Sequence, residues 1–157
     1  MEKILLGSTG IWATRSGFGA LPVQRLGKEE AARLLRRAFD GGINFFDTAN
    51  AYTDSEEKIG MGLADVRKDL FIATKTGSTT PDGFWKHLEL SLERMKTDYI
   101  DIYQFHNPSQ MPSDEMMSCM IKAKAQGMIR HIGVTAHRLD VALEEIKSGA
   151  FETMQFP

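Results

Sequence analysis

The sequence predicts an α/β fold, a parallel (β/α)8 barrel shortened to roughly six strands and preceded by an N-terminal β-hairpin. Short apolar runs alternate with amphipathic helical stretches along all 157 residues, the pattern of parallel strands joined by right-handed helical crossovers. The main competitor is a doubly wound open sheet, which carries a glycine-rich phosphate loop after its first strand. Here that position reads Gly17-Phe18-Gly19-Ala20-Leu21-Pro22, without the required glycine spacing. Titratable residues also stand at the same end of successive strands, the end at which barrels gather their chemistry.

The elements follow in order. Ile4-Leu5-Leu6 and Ile11-Trp12-Ala13 flank Gly7-Ser8-Thr9-Gly10, a glycine-bounded turn that predicts a hairpin. Six apolar runs then read as strands: 17–21, 44–46, 70–73, 99–103, 129–134 and 153–156. Between them, Ala31, Leu34, Leu35 and Ala38 fall at helical spacing, as do Leu88, Leu92 and Met95, and Val141, Leu143 and Ile146. Gly41-Gly42, Gly127 and Gly149 stand near helix ends, where a left-handed residue is often needed. No Pro/Ser-rich linker divides the chain, so residues 1–157 are expected to form one domain.

Composition excludes several function classes. With 42% hydrophobic and 25% charged residues and a net charge of −2, the chain resembles an ordinary globular domain and has no basic run to track a nucleic-acid backbone. Met1 to Gly7 lacks the apolar core of a signal peptide, and no apolar run is long enough to cross a bilayer. Cys119, the only cysteine, lies among apolar neighbours in a helical stretch and reads as a buried free thiol. A reducing, cytoplasmic setting fits best.

Asp47 ends the second strand, Lys75 the third, His106 the fourth and Thr135 the fifth, while Tyr52 lies in the loop that leaves the second. Singly, the Asp reads as a helix cap, the Lys as a surface charge and the His as a structural group. Together, at one end of consecutive strands, they read better as a shared site. A tyrosine beside an ammonium is a more effective acid, because the cation favours the phenolate. Asp47 would hold Lys75 charged and oriented, and His106 would hydrogen-bond a carbonyl oxygen. The set suits proton donation to a carbonyl during hydride delivery from a nicotinamide.

These residues resemble a known family. Gly42-Ile43-Asn44-Phe45-Phe46-Asp47-Thr48-Ala49-Asn50-Ala51-Tyr52, continued by Ser55-Glu56-Glu57-Lys58-Ile59-Gly60, is similar to the aldo-keto reductase motif around its Asp and Tyr. Ile72-Ala73-Thr74-Lys75 resembles the family's lysine strand, and the stretch from Ser91 to His106 its histidine segment. Gly127 to Val134 resembles the segment leading into its fifth strand end. The resemblance implies NADP(H) as cofactor and a small carbonyl compound as substrate. It makes Tyr52 the proton donor, with Asp47, Lys75 and His106 in support. It places Gly19, Ala20, Asp47, Thr135 and Gln155 at the cofactor, and it implies no metal site. The family often has Asn after the serine that Thr135 replaces. Here Ala136 and His137 follow, which leaves His137 or fewer side chains to hold the nicotinamide carboxamide. The Thr-Ala-His-Arg run and the Gln-Phe-Pro ending resemble a branch with a cysteine-bearing iron–sulfur extension.

Two rival readings share the fold: a non-catalytic, cofactor-sensing regulatory subunit, and a metallohydrolase using His106, His131 and His137. The retained proton donor argues against the first and a poor ligand set against the second. A closed barrel needs eight strands and about 250 residues. The count here predicts two unpaired sheet edges, self-association or pairing with further chain at those edges, and a lumen open to water that exposes Phe46 and Ile72. It also predicts weak NADPH binding by these residues alone.

Overall fold

The computed structural model describes residues 1–157. The chain opens with an antiparallel hairpin of β1 (Lys3–Leu5) and β2 (Trp12–Thr14). Six strands follow: β3 (Phe18–Gly19), β4 (Phe45–Asp47), β5 (Phe71–Thr76), β6 (Ile100–His106), β7 (Ile129–Thr135) and β8 (Thr153–Gln155). They form one sheet in chain order, every neighbouring pair parallel. The crossovers contain α1 (Lys28–Asp40), α2 (Ser55–Leu63), α3 (Pro81–Met95), α4 (Asp114–Ala125) and α5 (Leu139–Ser148). Short 3-10 segments, Leu21–Arg25 and Ala64–Asp69, lead into α1 and out of α2. This is the consecutive order of a (β/α) barrel wall. No helix is long and apolar enough to cross a membrane.

Local chemistry sets the boundaries. Thr80 and Ser113 cap α3 and α4 by accepting from the amides of Gly83 and Met116. Gly42, Gly127 and Gly149 take positive φ values of 97°, 76° and 65°. Within the Gly-Gly pair the left-handed turn falls on Gly42, while Gly41 continues the helical conformation at φ −73°. Gly60 serves a different need. A methyl group there would come within 2.2 Å of the Arg94 carbonyl oxygen, so its lack of a side chain lets α2 lie directly against the end of α3.

Strand alternation divides the side chains between two layers. Phe46, Ile72, Tyr103, Phe105, Ile132 and Val134 point to the helices and join Leu35, Ile59, Leu88 and Met120 in the main core. Phe46 and Ile72 are 0% and 1% exposed. The expectation that an open lumen would expose them is therefore overturned: they are on the helix side. The lumen face carries their alternates, Ala73 and Ile102, with Phe45 and Phe71 beside them. These pack against Ile11, Ala13 and Leu6 from the hairpin region, which plugs the lower end of the lumen. Asn44 ties the plug to β4, accepting from the Thr14 amide at 2.7 Å and donating to the Trp12 carbonyl at 3.0 Å. Cys119 is buried and free, as expected.

The base of the wall carries a buried charge cluster. Asp101, fully buried, accepts from Arg67 at 2.6 Å and from Arg130 at 3.1 Å, and the two guanidinium groups lie over the Tyr99 ring. Glu145 on α5 is the opposite case. It is fully buried and neither carboxyl oxygen has a hydrogen-bond partner. Burial, reinforced by Glu144, pushes it from 4.5 to about 7. Folding thus favours its protonated form, a contribution complete below pH 4.5 and lost as pH rises through about 7. Glu145→Gln, which mimics that form, should raise the urea midpoint at about pH 8 and leave it unchanged at about pH 4. A midpoint independent of the substitution at the higher pH would refute the account.

Candidate active site

The polar side chains converge at the C-terminal ends of the strands. β4 ends on Asp47 and β6 on His106, while Lys75 is the penultimate residue of β5. All three belong to the lumen-facing alternation. Parallel pairing of β4 to β5, Asp47 opposite Ala73, leaves Lys75 one lumen-facing step beyond Asp47, within reach of it. Lys75 Nζ donates to both Asp47 oxygens, at 2.9 and 2.7 Å, and to the Thr48 carbonyl at 2.7 Å. All three ammonium protons are used, and Lys75 is 2% exposed.

Tyr52 stands over this pair. Its ring centre is 5.3 Å from Lys75 Nζ, and it meets the His106 ring edge-on at 5.6 Å and 80°. Tyr52, Lys75, His106, Thr135, His137 and Gln155 surround one cavity of about 220 Å³, with Phe156 and Pro157 at its rim. The structure thus brings Asp47, Tyr52, Lys75 and His106 together as expected. Thr135 and Gln155, paired opposite each other on β7 and β8, share that cavity. Gly19 pairs opposite Asp47 and lines, with Asp47 and Gln155, a second cavity of about 350 Å³. Ala20 is fully buried. Its amide donates to the Asp47 carbonyl at 2.8 Å and its own carbonyl accepts from Ser55.

Electrostatics correct one expectation. Burial pushes the Asp47 carboxyl up and the Lys75 ammonium down, and in each case the partner's charge and hydrogen bond oppose the shift. All three groups facing Nζ are acceptors, which favours the charged ammonium. The sequence suggested that Lys75 would make Tyr52 more acidic. Instead, burial and then the Asp47 charge hold the phenol above its ordinary value. His106 is lowered by burial, then by Lys75 and His137, so its imidazole is neutral at neutral pH.

Motif reading missed the residues that brace the Tyr52 loop. On one side, Thr48 Oγ1 donates to Ser55 Oγ, which donates to the Ala20 carbonyl. On the other, the Asn50 amide donates to the Lys75 carbonyl at 3.0 Å, and Arg94 donates to the Asn50 carbonyl and to buried Glu56. Glu56 also accepts from Thr74 at 2.7 Å, on the helix-facing side of the Lys75 strand. Ser55-Glu56 stood within a motif already noted; their contacts span α3 and β5, which spacing along one segment does not report. The three histidines of the metal reading do not assemble: His131 is bonded to Glu152 at 2.8 Å, and no group of three potential ligands converges anywhere.

Comparison with known proteins shows the family. The model of the aldo/keto reductase family matches residues 8–151, and the chain belongs to that family. It is 34% identical to L-galactose dehydrogenase of Arabidopsis thaliana, covering 98% of this chain and 55% of that protein. Among solved structures it is similar to an aldo-keto reductase of Bacillus halodurans in its holo form, with a TM-score of 0.92 and 28% identity over 99% of this chain and 57% of that one. It also resembles an aldo/keto reductase from Klebsiella pneumoniae in complex with NADP and acetate, with a TM-score of 0.81 and 25% identity over 91% and 53% of the two chains. The chain spans about half the length of these proteins.

The Tyr52 environment can be tested by itself. In tyrosine ring-carbon NMR, the resonance removed by Tyr52→Phe should titrate above the ordinary value of 10.0. Asp47→Asn, which deletes a negative neighbour and frees the Lys75 charge, should move it downward. An unchanged or higher value in Asp47→Asn would contradict the assignment of Asp47 as an opposing charge.

Proposed function

We propose that this chain forms the catalytic wall of an NADP(H)-dependent reductase that converts an aldehyde or ketone to an alcohol. The observation that carries the reading is the convergence of Tyr52, His106 and the buried Lys75–Asp47 pair on one cavity at the strand ends. The cofactor fits the donor set. Thr135 and Gln155, register partners that line the same cavity as Tyr52, offer a hydroxyl and an amide for a carboxamide. Gly19 leaves open space where a side chain would project. The NADP complex of the Klebsiella relative supports this choice of nucleotide. When bound, NADPH supplies the hydride for the carbonyl carbon.

The chain's own residues do the rest. His106, neutral at working pH, donates a hydrogen bond to the carbonyl oxygen and fixes its position. Tyr52, fully protonated because burial and Asp47 raise it, gives its proton to that oxygen as the carbon is reduced. The phenolate left behind is stabilised by the Lys75 ammonium and recovers its proton from solvent. Asp47 keeps Lys75 in place and charged. Phe156 and Pro157 limit access of water from the rim. The same reading places the protein in a reducing cytoplasm, in keeping with its single buried thiol. It further has the free edges of β3 and β8 paired by additional β/α units or by another copy.

Tyr52→Phe, made in the protein that carries this segment, should lower NADPH-dependent reduction of an aromatic aldehyde by about a hundred- to ten-thousandfold. NADPH affinity, read by fluorescence, should stay within a few fold. Turnover within a few fold of wild type would remove Tyr52 from the proton-donor role.

A further inference from the structure

His106 makes no hydrogen bond through its ring; only the edge contact with Tyr52 touches it specifically. Its aim therefore depends on the backbone at the end of β6. There the parallel ladder stops, with His106 opposite Thr135 as the last register pair of β6 and β7. The next residue, Asn107, has a left-handed backbone at φ 51°, a conformation that asparagine tolerates better than most side chains. That geometry turns its amide onto Thr135 Oγ1, at 2.9 Å, and its side-chain oxygen onto the His137 amide, at 3.0 Å. Two further bonds between β6 and β7 thus form after backbone pairing has ended. Both arrive at residues that line the same cavity as His106.

We infer that Asn107 is a positioning residue, a side-chain clip across the ends of β6 and β7 that sets His106, Thr135 and His137 as one unit. The catalytic consequence rests on the reading of His106 as the group that orients the carbonyl; the clip itself does not. The alternative, that Asn107 merely terminates a strand in an exposed loop, predicts that its carboxamide is dispensable once the turn is made.

Three substitutions separate these ideas. Asn107→Gly keeps the left-handed turn and its amide but removes the acceptor for His137. Asn107→Asp keeps turn, amide and acceptor. Asn107→Ala removes the acceptor and strains the turn. Amide hydrogen exchange and imidazole NMR of the full chain read the outcome without cofactor or substrate. In Asn107→Gly the His137 amide should exchange about tenfold faster, as expected for loss of one hydrogen bond. The His106 ring resonances should shift away from their Tyr52-packed values. Asn107→Asp should restore slow exchange at His137, and Asn107→Ala should resemble or exceed the glycine variant. If His137 exchange is unchanged in Asn107→Gly, or rises while the His106 resonances stay in place, the clip does not position His106 and the proposal is overturned. Kinetics add a separate reading. Where the wild type reduces an aldehyde with NADPH, Asn107→Gly should lower kcat/KM about tenfold or more, since misplacement of a reacting group by about 1 Å is enough for that. NADPH affinity should hold within threefold. A wild type without reductase activity would count against the proposed function, while the exchange and resonance data would still decide the clip.

Discussion

The Lys75 ammonium, buried at the end of a parallel strand, is the constraint around which the upper half of the molecule is arranged. A charge out of water is costly unless each of its protons finds an acceptor. Here the acceptors come from the end of β4 and the residue after it: two carboxylate oxygens of Asp47 and the carbonyl of Thr48. Satisfying them requires a specific register between β4 and β5 and a specific exit path for the chain after Asp47. That exit path is the loop that carries Tyr52. The Asn50 amide, bonded to the Lys75 carbonyl, ties the same loop to the neighbouring strand β5. Removing Lys75 would leave Asp47 buried without a cation, so the two groups are held by their mutual need as well as by packing.

Much of this was legible in the sequence because it rests on local chemistry. Alternation of short apolar runs with helical spacing is enough to predict a parallel sheet in chain order, and the titratable residues after the second, third and fourth runs, Asp47, Lys75 and His106, predict which end of that sheet matters. The glycines after α4 and α5 and the hairpin turn are similarly local, whereas the Thr80 and Ser113 caps emerge only from the structure. What escaped reading was pairwise. Phe46 and Ile72 look the same as Phe45 and Phe71 in a short apolar run, and only the closed helix layer on one side tells which set is dry. Two adjacent glycines can divide the work of ending α1 in more than one way, and the chain gives the left-handed turn to Gly42 alone. The direction of the Tyr52 shift depends on the net field of Lys75 and Asp47, two charges of opposite sign at nearly the same place, and on how deeply the ring is buried.

The bracing residues follow a common rule. At each strand end the main-chain ladder runs out just where a side chain has to be held steady, and a polar side chain from the next segment takes over the pairing. Ser55 does so between the Thr48 hydroxyl and the Ala20 carbonyl, Arg94 between the Asn50 carbonyl and Glu56, and Asn107 between Thr135 and His137. None of these residues needs to touch a ligand to matter, since each fixes the backbone from which Tyr52 or His106 projects.

This division of labour has a consequence for how the site behaves electrostatically. The charged pair is shielded by the loop and strands that it organises, so its field acts mainly on its neighbours, Tyr52 and His106. Burial makes both of these side chains prefer their neutral forms, and a neighbouring charge pushes each the same way: Asp47 against the phenolate, Lys75 against the imidazolium. The cavity is therefore lined by a phenol and an imidazole that both retain neutral hydrogen-bonding forms across the middle pH range, backed by an ammonium whose charge is already balanced. Such a lining suits the neutral carbonyl substrate of the proposed function, because the Lys75–Asp47 pair beneath the site carries little net charge. In the proposed reaction the phenolate would form beside an ammonium that Asp47 already holds in place, so the wall that supports both would not have to reorganise.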